Sequence, residues 1–103
     1  MKRRFRPELE ASAELEDAAV WYNGRRPGLG VEFVEAVDAA LEQIVRWPEI
    51  GRVVPGVPGD VPARRFPVQR FPYHVVYLEW EGVIRLLAFV HDRRRPGYWF
   101  SRV

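Results

Sequence analysis

The spacing of the apolar residues changes near the middle of the chain, and this change constrains the fold more than any other feature. Up to residue 47 the apolar residues recur every three or four positions, as in amphipathic helices. From residue 63 they alternate or run without interruption, as in strands. Residues 48–62, which hold four prolines and three glycines, predict an irregular surface loop between the two parts. The pattern therefore predicts an α+β fold with helices first and strands after them.

Two helices are predicted in the first half of the chain. The first begins after Ser12, a suitable N-cap, and ends in the turn at residues 23–28. The second runs from about Leu29 to Trp47 and stops at Pro48. Because the connection between them is short, the helices should pack antiparallel as a helical hairpin.

Four strands are predicted around this hairpin: residues 2–6, residues 64–70, Tyr73–Trp80 and Val83–His91. Pro67 suits an edge strand, and Glu81-Gly82 suits a tight hairpin turn. The last strand is almost continuously apolar, which indicates a central strand buried on both faces. We therefore expect the order β-α-α-β-β-β in one domain over residues 1–103, with the hairpin on one face of a small, mostly antiparallel sheet.

The composition excludes several classes of chemistry. The chain has no cysteine, no threonine and two serines, which removes thiol nucleophiles, thiolate-bound metals and serine-protease chemistry. His74 and His91 lie on different predicted strands without metal-ligand spacing, and no Gly-rich phosphate loop ends in Lys-Ser/Thr. We expect neither a metal nor a cofactor. With no apolar run long enough for a bilayer and no signal peptide, a cytoplasmic protein without membrane contact is expected.

The charges are separated along the chain. Residues 1–50 carry 7 basic and 10 acidic groups, whereas residues 51–103 carry 9 basic and 4 acidic groups. Of the 16 basic residues 15 are arginine, whose planar guanidinium suits bidentate recognition of phosphate or carboxylate. A GC-rich genome would produce the same excess of arginine without a functional reason. The distribution predicts a contact surface on the sheet and the C-terminal tail.

The segment from His91 to Arg102 is the richest in reactive side chains. It combines an imidazole, three consecutive arginines, the phenol of Tyr98 and the guanidinium of Arg102, an inventory that a phosphodiester site would need. A structural interpretation is also open. His91 would then cap the strand, the arginines would form a solvated turn, and residues 98–100 would dock the tail on the core.

Three segments of the chain resemble one known family. They are Gly28-Leu29-Gly30-x-x-Phe33, Arg70-Phe71-Pro72-Tyr73-x-Val75-Val76-Tyr77, and Ala88-x-x-His91-x-Arg93-Arg94-x-Pro96-x-x-Trp99-x-x-Arg102. In nearly the whole chain, and in the same order of elements, the sequence resembles the RelE/ParE toxin superfamily of bacterial type II toxin–antitoxin systems. The resemblance implies a growth-inhibiting toxin that a cognate antitoxin binds and neutralises.

The superfamily contains two mechanisms. RelE-like members act on the ribosome and cleave mRNA, which would make His91, Arg94 and Tyr98 catalytic here. ParE-like members inhibit DNA gyrase as protein ligands. In either case, the residues expected to bind the target or its phosphates are Arg64, Arg65, Arg70, Arg93, Arg94 and Arg102.

The single lysine and the Pro-x-x-Trp-x-x-Arg tail resemble ParE and plasmid-stabilisation proteins more than strongly nucleolytic members. We therefore expect gyrase inhibition ahead of ribosome-dependent mRNA cleavage. A non-toxic nucleic-acid-binding or interaction module is a third alternative.

Overall fold

The computed structural model describes residues 4–103, and its helices and strands follow the predicted order with one addition. The elements are β1 (Arg4–Pro7), α1 (Leu9–Arg25), α2 (Leu29–Arg46), β2 (Arg52–Val53), β3 (Arg64–Pro67), β4 (Tyr73–Trp80), β5 (Val83–His91) and a 3-10 turn (Phe100–Arg102). The α+β class and the helical hairpin packed on one sheet are confirmed. Lys2 and Arg3, which belong to the predicted first strand, lie outside the described residues.

The five strands form an open sheet in the order β1-β5-β4-β3-β2. β1 is parallel to β5 and the other pairs are antiparallel, so the sheet is mostly antiparallel as predicted. Phe33, Val37 and Ile44 of α2 are fully buried against the side chains of β4 and β5. This face of the sheet, called the helix face below, holds the larger part of the core.

The strand β5 is central and buried on both faces, which confirms the prediction from its continuous apolar run. Tyr77 of β4 pairs with Leu86 and Val76 pairs with Ala88, so Leu87 has no partner and forms a bulge. The bulge changes the alternation of the strand. Leu86 and Phe89 pack on the helix face, whereas Leu87 and Ala88 pack on the opposite face.

The loop after β2 and the C-terminal tail cover part of the opposite face. Val54, Val57 and Val61 from the loop and Trp99 and Phe100 from the tail pack against β4 and β5. The indole of Trp99 is only 3% exposed. The docking of the tail on the core, one of the two interpretations of this segment, is confirmed.

The start and end of the first helix differ from the prediction. α1 begins at Leu9, and Ser12 is not its N-cap, because its backbone N–H already donates to the Glu8 carbonyl in the first turn. The backbone N–H of Glu8 donates to Leu86 O, so the pairing of β1 with β5 leads directly into the helix. At the other end the helix continues through Gly24 to Arg25.

The loop of residues 48–62 is not wholly irregular. Arg52 and Val53 pair with Arg65 and Arg64 as the short strand β2, so the prediction of irregular structure was wrong at these two positions. The outer edge of β3 is therefore paired with β2 at its first two residues, Arg64 and Arg65. Pro67, which has no N–H to donate, lies beyond this pairing, which explains why it is tolerated there.

The two helices approach each other closely at Gly30. A Cβ atom built there would lie 2.5 Å from the carbonyl oxygen of Ala19 in α1. We expect Gly30→Ala to lower the free energy of unfolding by about 2 kcal/mol, because helix backbone would have to move. Urea denaturation followed by circular dichroism measures this change.

Gly24 provides the matched control, since it is also helical but a Cβ atom there would meet nothing within 4 Å. We expect Gly24→Ala to raise the free energy of unfolding by about 0.5 kcal/mol through the better helix propensity of alanine. Equal effects of the two substitutions would contradict the close helix contact at Gly30.

Candidate functional site

A cavity of about 340 Å³ opens on the helix face between α1 and the C-terminal end of β5, and we call it the α1–β5 cavity. Two of the predicted catalytic residues, His91 and Arg94, line it. The other lining residues are Glu14, Asp17, Ala18, Trp21 and Tyr22 from α1, Tyr73 from β4 and Phe89 from β5. The bulge in β5 is what turns Phe89 toward this side of the sheet.

The carboxylate of Glu14 joins three parts of the fold at the cavity. Its Oε1 accepts the backbone N–H of Phe89 at 3.1 Å and the Nη1 of Arg102 at 2.9 Å. Its Oε2 accepts the hydroxyl of Tyr98 at 2.6 Å and the Nη2 of Arg102 at 3.2 Å. The Glu14 and Arg102 side chains are 15% and 13% exposed, so water screens this ion pair weakly. Helix α1, strand β5 and the tail are thus held at one point.

Tyr98 belongs to this group of hydrogen-bonded side chains around Glu14. Burial and the hydrogen bond to Glu14 raise the pKa of its phenol well above the usual range, despite the opposing charges of Arg94 and Arg102. The guanidinium carbon of Arg94 lies 3.9 Å from the ring centroid, in a cation–π contact. Tyr98 therefore stays protonated at neutral pH and provides a platform for Arg94.

His91 both ends a strand and faces the cavity. Its Nδ1 accepts the backbone N–H of Arg93 at 3.1 Å, which stabilises the turn after β5. Its ring packs edge-to-face on Tyr73 with centroids 5.1 Å apart. With Nδ1 acting as an acceptor, the neutral ring carries its proton on Nε2. The capping role is thus observed, together with a position at the cavity.

The remaining predicted residues lie in different places. Arg102 is held behind the cavity by Glu14 and also donates to the carbonyl of Leu87. Arg64 donates to the carbonyls of Glu49 and Gly51. The guanidiniums of Arg102 and Arg64 are therefore both hydrogen-bonded to other groups of the fold.

Arg70, Arg93 and Arg65 are exposed at three separate positions. Arg70 pairs with Glu32 near the start of α2, and Arg93 lies in the turn after β5. Arg65 lines a second cavity, formed with residues of β2, β3 and β4. The structure therefore brings His91, Arg94 and Tyr98 together but does not join all the predicted arginines on one surface.

Sequence reasoning missed the contributions of α1, above all that of Glu14. Glu14 was not among the predicted site residues. A usable signal was present, because Glu14 lies three residues after Ala11 and four before Ala18, on the buried stripe of the helix. A carboxylate on such a stripe requires partners inside the fold.

Two observations concern other kinds of site. Within residues 4–103 there is no cluster of three or more His, Asp or Glu side chains that could hold a metal ion. Neither helix in this range has the length and apolarity needed to cross a bilayer.

Replacing Glu14 by glutamine removes the charge while preserving the shape of the side chain. We expect Glu14→Gln to lower the free energy of unfolding by about 3 kcal/mol, because Arg102 would be left partly buried without its counter-ion. The exposed Glu16 on the same helix is the control, and Glu16→Gln should change the stability by less than about 0.5 kcal/mol. Thermal or urea denaturation provides the measurement.

A double-mutant cycle with Arg102→Met tests whether the ion pair causes the loss. Arg102→Met should cost less in the Glu14→Gln background than in the wild type, since its partner is already gone. Additive costs would show that the two side chains act independently.

Comparison with known proteins agrees with this architecture. A family model described as the ParE toxin of a type II toxin–antitoxin system, parDE, matches residues 6–96. The fold is similar to a solved structure described as "Chromosomal ParDE TA system from P. aeruginosa", with a TM-score of 0.71 and 17% sequence identity over 87% of this chain and 96% of that chain. Among curated protein sequences none matches significantly. Because the family model spans most of its length, this chain belongs to the ParE toxin family of type II toxin–antitoxin systems.

Proposed function

We propose that this toxin inhibits growth by binding DNA gyrase as a protein ligand, without cleaving RNA, and that a cognate antitoxin neutralises it. One observation carries the choice of mechanism. Three acid or base groups at or beside the α1–β5 cavity, Glu14, His91 and Tyr98, are already engaged with other groups of the same chain. Membership in the ParE family also supports gyrase binding over RNA cleavage.

RNA cleavage would need a group to accept the proton of the attacking 2′-hydroxyl and a group to protonate the leaving oxygen. Efficient groups have a pKa near the working pH. The hydroxyl of Tyr98 donates a hydrogen bond to Glu14, and its pKa is raised, so it stays protonated and cannot act as a base at neutral pH. Both oxygens of Glu14 already accept hydrogen bonds. Of these three groups, only the imidazole of His91 is left for proton transfer, and its Nδ1 already accepts the backbone N–H of Arg93.

The rim of the same cavity has the composition of a protein-binding surface. Trp21 is 55% exposed, and the guanidinium of Arg25 stacks 4.6 Å from the centroid of its ring. Arg94 is exposed on the other side and is oriented by Tyr98. Tryptophan, tyrosine and arginine contribute most of the binding energy in many protein interfaces. These side chains suit an acidic, partly apolar protein surface.

The antitoxin partner follows from the family, and the charge distribution suggests its chemistry. The exposed arginines of the sheet and of the turn after β5 favour an acidic or amphipathic segment. Such a segment would form charge-assisted hydrogen bonds with guanidiniums. It would also cover the surface offered to the target.

Ribosome-dependent mRNA cleavage remains the second candidate because one observation favours it. His91 and Arg94 line the same cavity, so an imidazole and a phosphate-binding cation are near each other. Adding the purified toxin to a gyrase supercoiling assay and to a translating extract separates the two functions. We expect loss of supercoiling with intact message, and cleaved message with normal supercoiling would reverse the choice.

Arg94 is the residue on which gyrase inhibition should depend most. We expect Arg94→Ala to raise the concentration needed for half-inhibition of supercoiling at least tenfold, a size typical of a central interface arginine. Its melting temperature should change little, because the contact it loses is one exposed cation–π pair.

The neighbouring Arg95 is the control, since it is exposed and carries the same charge. We expect Arg95→Ala to change inhibition less than threefold. Equal losses in the two variants would indicate that overall positive charge, rather than the position of Arg94, determines binding.

A further inference from the structure

An apolar groove lies on the outer side of the helical hairpin, the side turned away from the sheet, and we call it the hairpin groove. Its volume is about 540 Å³. Tyr22 and Phe33, which pack toward the sheet, are buried, whereas Val20 and Val31 are 73% and 60% exposed. Small and apolar residues form most of the walls: Ala19, Val20, Gly24, Gly30, Val31 and Val34. None of them lines the α1–β5 cavity, so the groove is not part of the proposed gyrase-binding surface.

The hairpin groove leaves apolar surface in contact with water. Val20, Val31 and Val34 belong to neither hydrophobic cluster of the core. A Cβ atom built on Gly24 would meet nothing within 4 Å, so the space above this part of α1 is open. Because several wall residues have small side chains or none, the backbone of another helix can approach closely. An exposed apolar surface of this kind is typical of a site of protein association.

The end of the groove near the turn between the helices is positively charged. A single carboxylate, that of Glu32, binds both Arg26 and Arg70, each at 3.0 Å. Arg25, at the last position of α1, is also exposed and adds a third guanidinium. Three positive charges therefore share one negative charge at this end.

Farther from the turn the groove is negatively charged. Glu16 on α1 and Glu35 on α2 are both exposed, and Glu35 lines the groove. Neither helix contains a basic residue before its last position, Arg25 in α1 and Arg46 in α2. A purely acidic partner would be repelled by this part of the groove, and a purely basic partner would be repelled by the turn. The occupant must therefore carry both signs of charge in the opposite order.

We propose that two copies of this chain associate through the hairpin groove, about a two-fold axis that passes near Val20 and Val31 and lies perpendicular to the helices. Such an axis reverses the direction of the second hairpin, so the acidic part of each copy faces the positive turn of the other. Glu16 and Glu35 each follow the valine of their helix by four residues, about 6 Å of helix, in the direction away from the turn. Two-fold symmetry forms these attractive contacts twice, and the valines of both copies meet at the centre.

The size of the hairpin determines how strong this association can be. Helix α1 has 17 residues and is about 25 Å long, and two helices side by side are about 20 Å wide. The face that each copy offers is therefore on the order of 500 Å², and both copies together bury about 1,000 Å². This area is at the low end for specific interfaces. We expect a reversible dimer whose population depends on the protein concentration.

The first experiment measures the mass of the purified toxin by sedimentation velocity over a wide range of concentrations. The mass should rise from 12.1 kDa toward twice that value. Val31→Glu should weaken the dimer at least tenfold, because it places two like charges at the centre of the interface. An acidic residue in the first turn of α2 favours the helix, so this variant should fold.

Val53→Glu is the matched control, since Val53 is 47% exposed on β2, outside the groove. It should dimerise as the wild type does. Circular dichroism of both variants verifies that they fold.

The second experiment tests the antiparallel order of the charges. Glu35→Arg and Arg26→Glu should each weaken the dimer, because each places like charges opposite one another across the two-fold axis. An equimolar mixture of the two variants should dimerise better than either variant alone, since the exchanged charges attract each other again. Raising the salt concentration should reduce this difference.

Three results would overturn the proposal. The first is a mass of one copy at every concentration, and the second is a dimer that Val31→Glu does not weaken. The third is a monomeric toxin whose complex with the antitoxin is weakened by Val31→Glu, which would assign the groove to the antitoxin. The mass measurement is independent of supercoiling, so the dimer and the gyrase proposal succeed or fail separately.

Discussion

The arrangement of this toxin depends on the carboxylate of Glu14 more than on any other polar group. A carboxylate removed from water is costly unless its oxygens are hydrogen-bonded and its charge is compensated. Here Phe89, Tyr98 and Arg102 supply four hydrogen bonds, and Arg102 supplies the opposite charge. These partners belong to β5 and to the tail, so one group of α1 fixes both relative to the helical hairpin.

The same hydrogen bonds have a consequence for function. They orient Tyr98, and Tyr98 in turn holds Arg94 at the rim of the cavity. Because Tyr98 and Glu14 are engaged in this way, they do not offer free acid or base groups. A fixed cation beside exposed aromatic rings is better suited to binding a protein than to transferring protons.

Much of the fold could be predicted because its signals are local. The change of apolar period located the helical hairpin and the strands, and Pro48 ended the second helix where expected. Glu81-Gly82 forms the predicted hairpin turn with positive φ at both residues, 50° and 78°. The apolar run of β5 correctly indicated a strand buried on both faces. The resemblance to the RelE/ParE superfamily was equally readable, since its motifs are short segments of the chain.

The candidate site was predictable only in part. The sequence by itself determined which residue types are available, including the His91–Arg102 segment, and the order of the elements. Only the tertiary structure decided that Glu14 pairs with Arg102, 88 positions away, and that Arg64 is used on loop carbonyls. It also decided where α1 begins, because Glu8 continues the pairing with β5. Periodicity and turn residues are properties of neighbours in the chain, whereas the partner of a buried charge is determined by packing between distant segments.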